Sequence, residues 1–247
     1  MRLRTIACAL MTAMLLTLSI GSATATTAPR HLKKLAQQQT NLALKFYEGQ
    51  NVSPPKCGQG QGSNGIDGVF LLPVPLFTPG DQTLNCKTSA RSVLVDLGGF
   101  VITEDARYPA SVCPVDGQNK PCTRENLEPS CDDIIAQDFF DIPLPVDARL
   151  DGKKLITRRV PKPINSGVFT ARVNRHAQVP GPGGPDLYAD SVDLGHPGRL
   201  ATVYCGFKAK IHLRPGRHTI VVNYSPIVGD STVFTYDIKV RRHHRSH

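Results

Sequence analysis

The chain has 247 residues, 29 Lys and Arg against 20 Asp and Glu, a formal net charge of +9 and no tryptophan. That length fits one large β domain or two small ones. It can bury a real core, and the basic excess favours anionic partners.

Residues 1–25 read as an export signal. Arg2 and Arg4 make a positive start, Thr5 to Gly21 is apolar and uncharged, and Ala23-Thr24-Ala25 is a small-residue cleavage site. Cleavage is expected before Thr26, which would remove Cys8 and two positive charges; the competing reading is a retained membrane anchor, against which the run is near the lower limit for spanning a bilayer and small residues rather than charges follow it. No later stretch is long and apolar enough to span a bilayer, so the mature chain is expected to be soluble, secreted or associated with the cell envelope.

Residues 26–56 read as an N-terminal helix and linker. Leu32, Leu35, Ala36, Gln39, Leu42, Ala43 and Phe46 recur at helical spacing over 31–48, with Gly49 as a stop. Such a stripe either docks on its own domain or lies on a membrane surface. Residues 57–241 read as a cysteine-containing β domain, and 242–247 as a basic tail.

Six cysteines remain after residue 25: Cys57, Cys86, Cys113, Cys122, Cys131 and Cys205. An even number in an exported chain points to three disulfides, although six cysteines allow 15 pairings. Turn residues between Cys113 and Cys122, and the Gly/Pro-rich segment between Cys57 and Cys86, favour those two pairs. Cys131 and Cys205 are then left to join distant parts of the chain. No C-x-x-C pair is present, which argues against zinc ribbons and thioredoxin-type sites.

Gly60-x-Gly62-x-x-Gly65 matches the letters of a dinucleotide fingerprint. That motif requires a preceding strand and a following helix, whereas a polar loop precedes it here and Pro73 and Pro75 follow. A disulfide-tied loop is expected instead.

Strands are expected at Val93–Leu97 and, after a bend at Gly98-Gly99, at Phe100–Thr103. Leu144–Leu150 and Lys153–Ile156 are expected to flank an Asp151-Gly152 turn. Phe169, Ala171 and Val173 make another apolar face. Val203, Cys205 and Phe207 share a face, turning Cys205 inward. Ile220, Val222 and Tyr224 alternate with polar neighbours or Val221. Phe234, Tyr236, Ile238 and Val240 alternate with Thr235, Asp237 and Lys239, the clearest period-2 pattern in the chain. One short helix is expected to begin near Pro129, with Cys131, Ile134, Ile135 and Phe139 on one face.

Short strands between Gly, Pro and Asp turns point to a mainly all-β, disulfide-stapled sandwich with an N-terminal helix and a short internal helix. The segments Leu213–Val222 and Phe234–Val240 resemble an immunoglobulin-like or fibronectin-type module over roughly the last fifth of the chain. The resemblance implies fold only. The buried inter-sheet Trp of antibody domains has no counterpart in this sequence.

No H-E-x-x-H, G-x-S-x-G, P-loop or EF-hand pattern occurs, so no catalytic residue, cofactor or metal site is assigned. Glu125, Glu128, Asp132, Asp133, Asp138 and Asp141 form an acidic segment without the spacing of a calcium loop or a glycosidase pair. His176, His196, His212 and His218 are scattered, and His243, His244 and His247 lie in the tail. Two functions from different classes remain. One is a non-enzymatic binding or structural protein held at an anionic cell-surface polymer or membrane surface, with Arg241, Arg242 and Arg245 as the polyanion-binding residues and no specific nucleic-acid motif. The other is a secreted hydrolase using carboxylates near Asp132 and Asp133. The absence of tryptophan weakens a sugar-binding reading, because sugar platforms use flat aromatic faces.

Overall fold

The computed structural model describes residues 30–47, 56–74, 80–105, 113–116, 118–136, 147–155, 162–177, 186–224 and 232–241. The expected signal segment, the tail from Arg242 onward, and Asp138, Asp141 and 144–146 lie outside them.

The described chain is mainly β. Helix α1 (Arg30–Phe46) is followed by β1 (Val69–Leu71), β2 (Gln82–Thr88), β3 (Ser92–Thr103), β4 (Cys113–Val115) and β5 (Gln118–Lys120). Helix α2 (Arg124–Ala136) precedes β6 (Asp147–Leu150), β7 (Lys153–Lys154), β8 (Ile164–Asn165) and β9 (Phe169–Arg172). Helix α3 (Leu187–Asp193) leads to β10 (Arg199–His212), β11 (Gly216–Tyr224) and β12 (Thr232–Val240).

Two mixed five-stranded sheets result. Sheet A runs β1-β3-β10-β8, with β9 also on β10. Sheet B runs β2-β12-β11-β6-β7. The β1/β3 and β12/β2 pairs are parallel, and the remaining pairs are antiparallel.

The period-2 patterns explain which faces are dry. Phe234, Tyr236, Ile238 and Val240 of β12 join Ile220 and Val222 of β11 and Val93, Val95 and Leu97 of β3 in one buried core between the sheets. The Tyr236 hydroxyl donates to the Pro73 carbonyl at 2.8 Å, which satisfies the one polar atom of that ring. Asp237 and Lys239 stay exposed, as the alternation requires.

Strands β3 and β10 are buried on both faces, so their sequences read as near-continuous apolar runs. Toward one end, the second face of sheet A is covered by α1, whose Leu35 packs on Val69, Leu71 and Leu94. The helical stripe therefore docks on its own domain. Gly98 and Gly99 do not end the strand; β3 runs through them. The bend is a bulge in which Leu97 is extra between the Asp96↔Lys208 and Gly98↔Phe207 pairs. Gly99 faces Gly206 so closely that a Cβ on either would meet the opposing backbone and the Tyr204 hydroxyl.

Helix α2 begins at Arg124 rather than near Pro129, which sits inside it. Leu127 and Cys131, one turn apart and fully buried, anchor the helix on both sides of the proline. Helix α3 has no counterpart in the expectation. Its signal is Asp186, whose side chain accepts from the Tyr188 and Ala189 N–H groups at 3.1 and 2.9 Å. Strands β1 and β2 were likewise unanticipated, because their parallel partners lie elsewhere in the chain.

The glycine-rich segment is a run of turns tied down by Cys57–Cys86. Gly60 takes a positive φ of 77° and lies against Leu42 and Phe46 of α1, where a side chain would collide. These glycines thus serve turns and close helix packing.

Candidate functional site

Three groups of residues are candidates for function: the cysteines, the acidic face of α2 and the basic end of β12.

The six cysteines lie at bonding distance in the pairs favoured by spacing. Cα separations are 5.1 Å for Cys57–Cys86, 5.2 Å for Cys113–Cys122 and 5.6 Å for Cys131–Cys205. Cys113–Cys122 closes the β4–β5 hairpin. Cys131–Cys205 fixes α2 to the centre of β10, beside Ala201 and Val203. Cys205 points inward, fully buried. The bridges are compatible with an extracellular protein.

On α2, Glu125, Glu128 and Asp132 follow at i, i+3 and i+7, so they share one exposed face. With Arg124, Pro129 and Val168 they line an open hollow. The Asn165 side-chain amide donates to Asp132 Oδ1 at 2.7 Å and to the Glu128 carbonyl at 3.2 Å, which binds β8 to the helix. Asp133 is next to Asp132 in sequence and therefore about 100° away around the helix, so the two carboxylates do not converge. The Glu125 carboxyl lies below the usual carboxylate range, because its own backbone N–H and the Thr123 hydroxyl bond to it, outweighing slight desolvation. A general acid in glycoside hydrolysis needs the opposite shift.

The four body histidines do not gather. Among the described residues, His218 alone of the four has a carboxylate partner: Nδ1 is 2.9 Å from Asp151 Oδ2 and Nε2 is 2.8 Å from the Arg214 carbonyl oxygen. Both ring nitrogens thus face acceptors. Among the described residues, no group of three or more His, Cys, Asp or Glu is placed to hold a metal. None of the described helices is long and apolar enough to cross a membrane.

At the C-terminal end of β12 the Arg241 N–H donates to the Thr88 carbonyl at 2.8 Å, extending the β12/β2 pairing one step past Val240. Its side chain is exposed. Arg242 and Arg245 lie outside the described residues.

A further charged group was not anticipated. Lys208 and Asp96 are buried between sheet A and α1. The Gln39 side-chain oxygen accepts from Lys208 Nζ at 2.8 Å, and the Tyr204 ring centroid lies 3.7 Å from it. Gln39 also donates to the Leu72 and Leu94 carbonyls at 2.6 and 3.2 Å. No sequence pattern marks this set, because its members come from α1, β3 and β10.

No protein-family model, curated protein or solved structure matches the chain.

Proposed function

We propose that this is an exported, non-enzymatic binding or structural protein that attaches to an anionic cell-envelope surface through its basic C-terminal end. The observation that carries this reading is the position of Arg241. The residue is exposed while its backbone is held on β2, so Arg242 and Arg245 follow in sequence directly from a fixed strand end. Cations offered from a fixed point attract a polyanion without choosing its chemistry. The paired cysteines support an oxidising compartment. An immunoglobulin-like arrangement of the sheets belongs to the same proposal. Its support is the antiparallel β11–β12 pair and the core shared by the two sheets.

The test compares the full-length protein with one lacking residues 242–247, on anionic vesicles and on anionic wall polymer. The truncated protein should unfold at nearly the same temperature and be retained less. Retention of both should fall from low to physiological salt, because exposed charges are screened over about 8 to 10 Å. No retention of the full-length protein on either support at low salt would reject the function. Equal retention of the two proteins would reject the tail as the attachment.

A further inference from the structure

We propose that the folded body carries its own polyanion site, separate from the tail: a cationic row across the outer face of sheet B that takes a linear, phosphate-bearing polymer. This deepens the reading above and rests on it.

The strand register makes the row. Lys87 of β2 pairs with Lys239 of β12, and Lys239 pairs with Arg217 of β11. All three are exposed, while Cys86, Thr88, Ile238 and Val240 beside them are buried, so the three side chains leave the same face of the sheet. Strands lie about 4.8 Å apart, and the row therefore spans about 10 Å. Like charges set directly opposite each other on neighbouring strands destabilise a sheet. No described carboxylate forms an ion pair with any of the three.

More positive charge gathers at the same end. Arg241, the residue that follows β12, is exposed at this end with its backbone held on Thr88. Arg91 and Arg214 are exposed in the turns after β2 and β10, and those turns are joined by the Leu213 N–H donating to the Arg91 carbonyl at 2.7 Å. The three stretches that meet here, 86–92, 208–222 and 238–241, contain no Asp or Glu. The fold thus brings three acid-free segments to one pole, where a neighbouring carboxylate, Asp151, is engaged by the His218 ring and the Thr219 N–H, both at 2.9 Å.

The neighbours of the row select the shape of the ligand. Asp237 lies one exposed step along β12, bonded to the Thr219 hydroxyl at 3.0 Å. A flat anionic surface laid on this face would meet Asp237 as well, whereas a thin chain lying along the row would not. Among the described residues the one exposed large hydrophobic side chain is Val192, in α3, so sheet B offers nothing to insert into lipid. Arg217 supplies a planar two-pronged donor suited to phosphate, and the lysines supply point charges. Such a ligand binds by releasing its counterions, which makes affinity steeply salt-dependent.

The probe is inorganic polyphosphate, titrated at several salt concentrations against four proteins: full-length, 242–247-deleted, Arg217→Gln/Lys239→Gln with the tail intact, and both changes combined. Vesicles of phosphatidylglycerol in phosphatidylcholine run in parallel. The deleted protein should still bind polyphosphate. The double substitution should weaken binding about tenfold at low salt and reduce the log–log salt slope by roughly 1.4, two charges at about 0.7 each. Its thermal midpoint should be unchanged or higher, since a repulsion has been removed. Tail deletion that abolishes binding, with the double substitution silent, would overturn the body site and leave the tail reading intact. A vesicle affinity that depends on Arg217 and Lys239 while polyphosphate affinity does not would assign the row to membranes and overturn the polymer. Absence of binding by the full-length protein to both probes would remove this proposal and the function together.

Discussion

Lys208 Nζ lies 2.5 Å from Asp96 Oδ2 across the paired strands β10 and β3, both side chains almost wholly out of water. Each charge is completed by others. Gly98 N–H donates to Asp96 Oδ1 at 2.8 Å, Gln39 accepts from Lys208, and the Tyr204 ring faces the ammonium. Burial pushes the Lys208 pKa down, and the Asp96 charge opposes that shift. The pair sits at the β3 bulge and ties it to α1.

Removing one partner leaves the other buried without a counter-charge. Lys208→Met and Asp96→Leu should each cost about 3 to 5 kcal/mol in urea unfolding. The double variant should recover most of that loss, because an apolar pair of similar volume is often neutral. A double variant as unstable as the two single losses added together would show that the residues act independently.

The disulfides should differ in their contribution. Closing a longer loop restricts the unfolded chain more, and the sequence separations are 74 for Cys131–Cys205 and 9 for Cys113–Cys122. Paired Cys→Ala changes should cost about 4.5 and about 2.5 kcal/mol respectively on the loop-entropy model. Chemical denaturation of the two double variants measures the order. Mass analysis after alkylation without denaturant should find all six cysteines unlabelled. Labelling of several thiols in the folded protein would contradict the pairing.

Stability should also report on His218. Partial burial lowers its pKa, but hydrogen bonds to Asp151 and the Arg214 carbonyl, with the Asp151 charge, outweigh that and raise it overall. A raised folded-state value means stabilisation fully present below about pH 6.5 and lost as pH climbs through the raised value. Asp151 is shifted the other way: desolvation raises it, and the bonds from His218 and the Thr219 N–H more than offset this. Its contribution is present above about pH 3.9 and is lost as pH falls through the lowered value. The melting-temperature gap between wild type and His218→Ala should therefore be wide near pH 5.5 and narrow near pH 9. A gap independent of pH would mean that the imidazole charge plays no part.

Local pattern in the sequence carried much of the fold. The helical stripe from Leu32 to Phe46 and the alternation from Phe234 to Val240 each state which face is dry, because a helix and a strand repeat with different periods. Turn residues inside the short cysteine intervals made the local pairings legible and left Cys131 for Cys205. What required the tertiary structure was every property that depends on register or on a covering layer. Lys208 and Asp96 look like strand polar positions until α1 closes over them. Lys87, Lys239 and Arg217 are each an ordinary outward cation, and they become a row because β2, β12 and β11 align in one register. Alternation along a strand says which way a side chain points; pairing between strands distant in sequence decides what lies beside it.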